Sequence, residues 1–135
     1  MSYSFEDLSV GLSETIEKTV TEQDVQAFAQ VTGDTNPVHL DADYAATTSF
    51  EKPIAHGMLT AGFISAAIGT KLPGPGCIYL EQSLKFRAPV FIGATVTTTV
   101  TVKELNERRR RAIIETICFV DSKKVVTGEA TIMIP

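Results

Sequence analysis

Histidine and cysteine each occur only twice in this chain, no apolar run approaches a membrane span, and acidic residues outnumber basic ones. Each shortage excludes something. With two histidines and no Cys-x-x-Cys pair, the spacing of a cysteine or histidine metal site is missing. Cys77 and Cys118 lie among apolar neighbours and are expected to be reduced and at least partly buried, not joined in a disulfide. The most apolar stretch, Met58 to Gly69, falls short of the roughly 20 residues a bilayer requires. The opening residues lack the basic and apolar regions of a signal peptide. A formal net charge of −4 and a pI of about 5.1 argue against a general nucleic-acid binder. Neither a Gly-x-Ser-x-Gly elbow nor a glycine-rich phosphate loop occurs, and neither cysteine has a histidine nearby in sequence. A soluble, cytoplasmic protein is expected, without a metal, nucleic-acid or membrane partner.

What is present suits one folded unit. The 135 residues fit a single domain spanning 1–135, and an apolar share of 44% is ample for a core. Thr21-Glu22-Gln23-Asp24 reads as a helix start, with Thr21 as cap and acidic residues at the positive end of the dipole. Val25, Phe28, Ala29 and Val31 follow on one face, and Gly33 ends the helix. A short helix from Asp41 is expected to carry Tyr44 and Ala45 inward. The segment from His56 to Gly69 is apolar nearly all round and rich in Gly, Ala and Ser, so a helix buried on several sides is expected. Leu72-Pro73-Gly74-Pro75-Gly76 stops it. Beyond Ile78 the period shifts to two: Tyr79 to Arg87 alternates, Ala94 to Val102 is rich in Thr and Val, and Arg111–Val120 and Lys124–Ile134 join at Asp121-Ser122. Strands grouped after helices predict an α+β fold, an antiparallel sheet wrapped around the apolar helix.

Three features can carry chemistry. Asp34 and His39 stand five residues apart, roughly 17 Å in an extended chain, so they meet only if the backbone folds back between them. Asn36-Pro37 favours such a turn. An Asp and a His brought together can share one water and divide proton removal from proton delivery; the same residues can also be an ordinary turn. His56-Gly57-Met58 opens the apolar helix, where free N–H groups and the dipole can hold a developing oxyanion. Gly57 can equally serve close packing, and His56 reads as structural. Ser65, two turns on, is either a supporting hydrogen-bond partner or a small residue at a packing contact. The run Arg108 to Arg111 reads as a solvated hairpin end, whereas Lys85 and Arg87, on one strand face, are candidates for holding phosphates.

Taken in order, Asp34-Thr35-Asn36-Pro37-Val38-His39-Leu40-Asp41, then Ala45 to Met58, then Tyr79-Leu80-Glu81-Gln82-Ser83-Leu84-Lys85-Phe86, the chain resembles the MaoC-like (R)-specific enoyl-CoA hydratases, in their short bacterial form linked to polyhydroxyalkanoate supply. The resemblance extends to Val126-Thr127-Gly128-Glu129-Ala130. It implies a hotdog fold, a homodimer, and reversible hydration of a trans-2-enoyl-CoA to the (R)-3-hydroxyacyl-CoA. It also implies Asp34 and His39 as the catalytic pair, Gly57 as backbone oxyanion donor, Ser65 and Asn36 in support, and Ile68 and Ile132 lining the acyl pocket. No cofactor is implied, since CoA belongs to the substrate. A hotdog acyl-CoA thioesterase and a non-catalytic acyl-CoA-binding module are the competing readings.

Overall fold

The structure is a computed structural model that describes residues 2–135. A short 3-10 turn, Phe5–Asp7, precedes strand β1, Ser13–Thr19. Helix α1 spans Glu22–Thr32, followed by two single-turn helices, α2 (Pro37–Leu40) and α3 (Ala42–Ala45), and the long helix α4 (Gly57–Thr70). Strands β2 (Ile78–Gln82), β3 (Lys85–Phe86), β4 (Thr95–Asn106), β5 (Arg111–Val120) and β6 (Lys123–Met133) complete the chain.

The sheet is antiparallel, in the order β1-β4-β5-β6-β2, with β3 also pairing β6. Register irregularities at Val102/Glu104 and Cys118/Phe119 fall in the longest strands, where bulges bend a strand and raise its twist. The sheet thereby curls round α4, which packs on β1, β4, β5 and β6. Alternate residues of β4, β5 and β6, among them Val96, Val100, Val102, Ala112, Ile114, Ala130 and Ile132, point inward against Ile64, Ala67 and Ile68 of α4. This is the expected antiparallel sheet around an apolar helix, the hotdog arrangement. No helix among the described residues is long and apolar enough to cross a membrane.

Local chemistry places the elements. Thr21 Oγ1 accepts from Asp24 N–H at 3.1 Å and Asp24 accepts from Thr21 N–H at 3.0 Å, a reciprocal capping box at the start of α1. The bond from Thr21 N–H to the charged carboxylate, helped by nearby Lys18, holds Asp24 below the usual carboxyl range. Gly33 closes α1 in the left-handed region, at φ 81°. Asp121 and Ser122, at φ 49° and 65°, form the tight turn between β5 and β6.

Four expectations need correction. β1 lies in the half read as helix and loop; it is a polar edge strand whose outward Ser13, Thr15 and Thr19 bond hydroxyls of Thr101, Thr99 and Thr95. Without an apolar stripe it gives little periodic signal. Tyr79 to Arg87 is not one alternating strand but two short ones, broken at Ser83-Leu84, and Phe86 is exposed while Leu84 packs against the core. Tyr44 points outward although Ala45 is fully buried, and Val31 of α1 is exposed. Finally, α4 is covered on one side only: Met58, Gly62, Ser65, Ala66 and Gly69 stay exposed within this chain.

The break after β2 depends on Gly128 of β6. A Cβ there would lie 1.8 Å from the carbonyl oxygen of Ser83. Ser83 N–H donates to Glu129 O, and Glu129 N–H returns to Ser83 Oγ, both at 2.9 Å. Because backbone must move, Gly128→Ala is expected to cost about 1–3 kcal/mol or more, read as a loss of midpoint in denaturant unfolding.

Candidate active site

The segment after α1 turns back on itself through short-range hydrogen bonds. Asp34 N–H donates to Thr32 Oγ1 at 3.1 Å, and Asp34 Oδ1 accepts from Asn36 N–H at 3.3 Å. Asn36 Oδ1 then accepts from Val38 N–H at 3.2 Å, capping α2, and Pro37 supplies its preset first residue. One turn of helix puts His39 back beside Asp34. The chain between α3 and α4 is tied to the same place: Ile54 N–H donates to Val38 O at 3.3 Å and Ala55 N–H to Val90 O at 2.7 Å.

That tie settles the chemistry of His39. Its Nδ1 lies 2.7 Å from Ile54 O. A carbonyl oxygen can only accept, so Nδ1 carries the proton and neutral His39 has its lone pair on Nε2. His56 is fixed by the same logic, with Nε2 at 3.0 Å from the backbone oxygen of Asp34. Nε2 of His56 therefore donates, and its buried Nδ1 has no partner. The two imidazoles stack at 3.9 Å between centroids with 28° between their planes, and Phe28 lies against the other ring at 4.7 Å.

An Asp34 carboxylate oxygen and one nitrogen of each histidine lie within 4.8 Å of one another. Two histidines and a carboxylate can hold a divalent metal, but the two rings are stacked with centroids 3.9 Å apart, and one ion at bonding distance cannot lie in both planes. The grouping suits proton transfer better. Asp34, His39, His56 and Gly57 line one side of a cavity of about 510 Å³. Its remaining wall is mostly apolar, including Phe50, Ile54, Met58, Phe86, Val90 and Val126, with Arg87 contributing a cation.

Gly57 is the first residue of α4. N–H groups of Leu59 and Thr60 both donate to His56 O, whereas those of Gly57 and Met58 have no partner among the described residues. Free N–H groups at the positive end of a helix form an anion site. Gly57 also has a packing role: a Cβ would stand 2.7 Å from the Phe86 ring. The two readings of this glycine are compatible.

Other expected positions lie elsewhere. Ser65 is on the exposed side of α4 and does not line the cavity. Ile68 and Ile132 are sealed in the core, with no surface on it within this chain. Lys85 is exposed on β3 outside the lining, while Arg87 lies within it and donates from Nε to Thr127 Oγ1 at 2.8 Å. Arg110, in the basic run, pairs with Glu6 near the hairpin end and away from the cavity lining. Burial pushes both thiols, Cys77 and Cys118, above their ordinary range, which disfavours thiolate chemistry. The lining residues Phe50, Ile54, Val90 and Val126 were not singled out in the sequence. They come from three segments far apart in sequence, the loop before α4, the stretch after β3 and β6, joined by the Ile54–Phe91 bridge, the Ala55–Val90 bond and the β3–β6 pairing.

Comparisons with known proteins give the family and the fold. Residues 10–126 match the MaoC like domain. The chain is 55% identical over 131 residues to an (R)-specific enoyl-CoA hydratase of Rhodospirillum rubrum, covering 97% of this chain and 91% of that protein. It is 45% identical to the (R)-specific enoyl-CoA hydratase of Aeromonas caviae, covering 98% and 99%. Among solved structures, the unliganded R-hydratase PhaJ1 of Pseudomonas aeruginosa superposes with a TM-score of 0.95 at 47% identity, covering 99% of this chain and 86% of that one.

Removing the cap on the one-turn helix that carries His39 tests the local construction. Asn36→Ala is expected to cost about 0.5–2 kcal/mol of stability, seen as a lowered thermal midpoint.

Proposed function

We propose that this chain, which belongs to the MaoC-like domain family, is an (R)-specific enoyl-CoA hydratase, a hydro-lyase that adds water to trans-2-enoyl-CoA and gives (R)-3-hydroxyacyl-CoA. The observation that carries the reading is the meeting of the Asp34 carboxylate and His39 beside the free N–H of Gly57 in one largely apolar cavity. Its relatives at 45–55% identity bear the names of that activity.

In the resting site both members of the pair are acceptors. The Asp34 carboxylate has no proton to give, and the bond to Ile54 O leaves the lone pair of His39 on Nε2. A water between them engages both its protons and presents its oxygen lone pairs to C3 of the enoyl group. As oxygen bonds to C3, one proton passes to the pair, the C2–C3 π electrons move toward the thioester carbonyl, and the enolate-like oxygen is held by the Gly57 N–H. C2 then takes a proton, so one water is added and charge balances. Asp34 is favoured as the base. The proton Asp34 takes is the one that goes on to C2, while His39 Nε2 accepts a hydrogen bond from the other water proton, which stays on the new hydroxyl, and so orients the water. The addition requires neither metal nor redox cofactor.

The acyl chain is assigned to the wall of Phe50, Ile54, Met58, Phe86, Val90 and Val126, in place of Ile68 and Ile132. Arg87 is the remaining candidate for a CoA phosphate. We also propose a homodimer. β2 is the last strand of the sheet, and it exposes Ile78, Tyr79 and Leu80, while the small-residue side of α4 that holds Ser65 is bare within one chain. A second copy would cover both and could bring Ser65 into its supporting place.

With crotonyl-CoA, the conjugated enoyl absorbance should fall without release of free thiol, and chiral analysis should find the (R)-3-hydroxy product; prompt thiol release would mark a thioesterase. Asp34→Asn and His39→Gln should each lower kcat by roughly 10²–10⁴-fold, whereas wild-type rates in both folded variants would leave a binding module as the better account. Arg87→Ala should raise KM for the CoA thioester and leave KM for the corresponding pantetheine thioester unchanged, since that compound lacks the nucleotide phosphates.

A further inference from the structure

The proton-transfer scheme leaves out His56, although the residue is 2% exposed and its ring touches both residues that perform it. It donates one hydrogen bond, from Nε2–H to the carbonyl of Asp34 at 3.0 Å, and stacks on His39 at 3.9 Å. Phe28 of α1 also packs against the ring, tilted by 48° at 4.7 Å, so the ring contacts an aromatic on α1 as well as the imidazole on α2. The residue itself caps α4, and its carbonyl receives the N–H groups of Leu59 and Thr60.

We infer that His56 is a positioning residue for both members of the catalytic pair, acting as a neutral Nε2–H imidazole and not as an acid or base. This inference rests on the hydratase reading of the same site. A side chain held only by an exposed turn can swing, and Asp34 lies in such a turn. The bond from His56 fixes the backbone oxygen of Asp34, and with it the base of the carboxylate. The stacked ring limits rotation of His39 about its bond to Ile54 O and keeps Nε2 on the same side as that carboxylate. Because His56 begins α4, the same ring sets the separation between the pair and the Gly57 N–H, the two ends of the reacting enoyl thioester. Its buried Nδ1 lacks a hydrogen-bond partner, as fits a lone pair; a proton there would be a buried, unpaired donor beside His39.

The role predicts a loss in kcat without a matching loss in substrate binding. His56→Leu should lower kcat for crotonyl-CoA hydration by about 10- to 100-fold, the scale of a small misplacement of reacting groups, with KM little changed. His56→Gln, which restores a side-chain N–H near the position of Nε2, should recover most of that loss. Nitrogen-resolved NMR of the wild-type protein at neutral pH should show His56 as the Nε2–H tautomer and His39 as the Nδ1–H tautomer, a reading that needs no variant to fold. An unchanged kcat in folded His56→Leu, equal losses in the Leu and Gln variants, or a His56 in the Nδ1–H form would each overturn the inference. Absence of hydration by the wild-type protein would instead overturn the hydratase reading.

Discussion

The buried imidazole of His56 joins three segments that are far apart in sequence: the turn after α1 through Asp34, the one-turn helix α2 through His39, and the start of α4 through its own backbone. Polar groups out of water must be paired or they cost stability, and here one pairing serves the geometry of the site. The hydrogen bond at Asp34 O and the one from His39 to Ile54 O are both directional. Together they fix which nitrogen of each ring bears the proton, so the site starts with a histidine acceptor facing a carboxylate acceptor. Water is the natural third member, because it can donate to both and still attack through oxygen.

The surroundings support that arrangement. An apolar wall lowers the local dielectric, which in the proposed reaction would strengthen the pull of Asp34 on a bound water and of the helix N–H groups on an oxyanion. The curled sheet provides a rigid base for α4, whose buried side carries Ile64, Ala67 and Ile68. The Gly57 N–H is thus presented from the most firmly packed helix, while Asp34 and His39 come from short turns that depend on local caps and on His56. The thiols, raised by burial, are poorly suited to thiolate chemistry.

Much of this was legible in the sequence wherever one residue type has one local use. The Thr21–Asp24 cap, the Asp121-Ser122 turn and the extent of β5 follow from such rules, and so does the return of His39 toward Asp34 through Asn36-Pro37. The resemblance to a known family supplied what spacing could not, namely the expectation that the turn is a hydration site. The misses have separate causes. β1 is polar on its outward side and lies at an edge, so it has little apolar alternation. Tyr44 obeys helical spacing but falls on a single turn too short to define a buried face. The bare side of α4 looks like core in composition because small apolar residues are as suited to a second copy of the chain as to the chain's own interior. The cavity wall, drawn from separate segments, depends on pairing over long range; Ile68 and Ile132, placed by resemblance, are buried in the core of the single chain.

A structure of the Asp34→Asn protein with crotonyl-CoA bound tests the central claim most directly. The account predicts a water between residue 34 and His39 Nε2 at about 3–3.5 Å from C3 of the enoyl group, with the thioester oxygen accepting from the Gly57 N–H. A substrate bound with C3 remote from that pair, or with its carbonyl turned away from the start of α4, would contradict it.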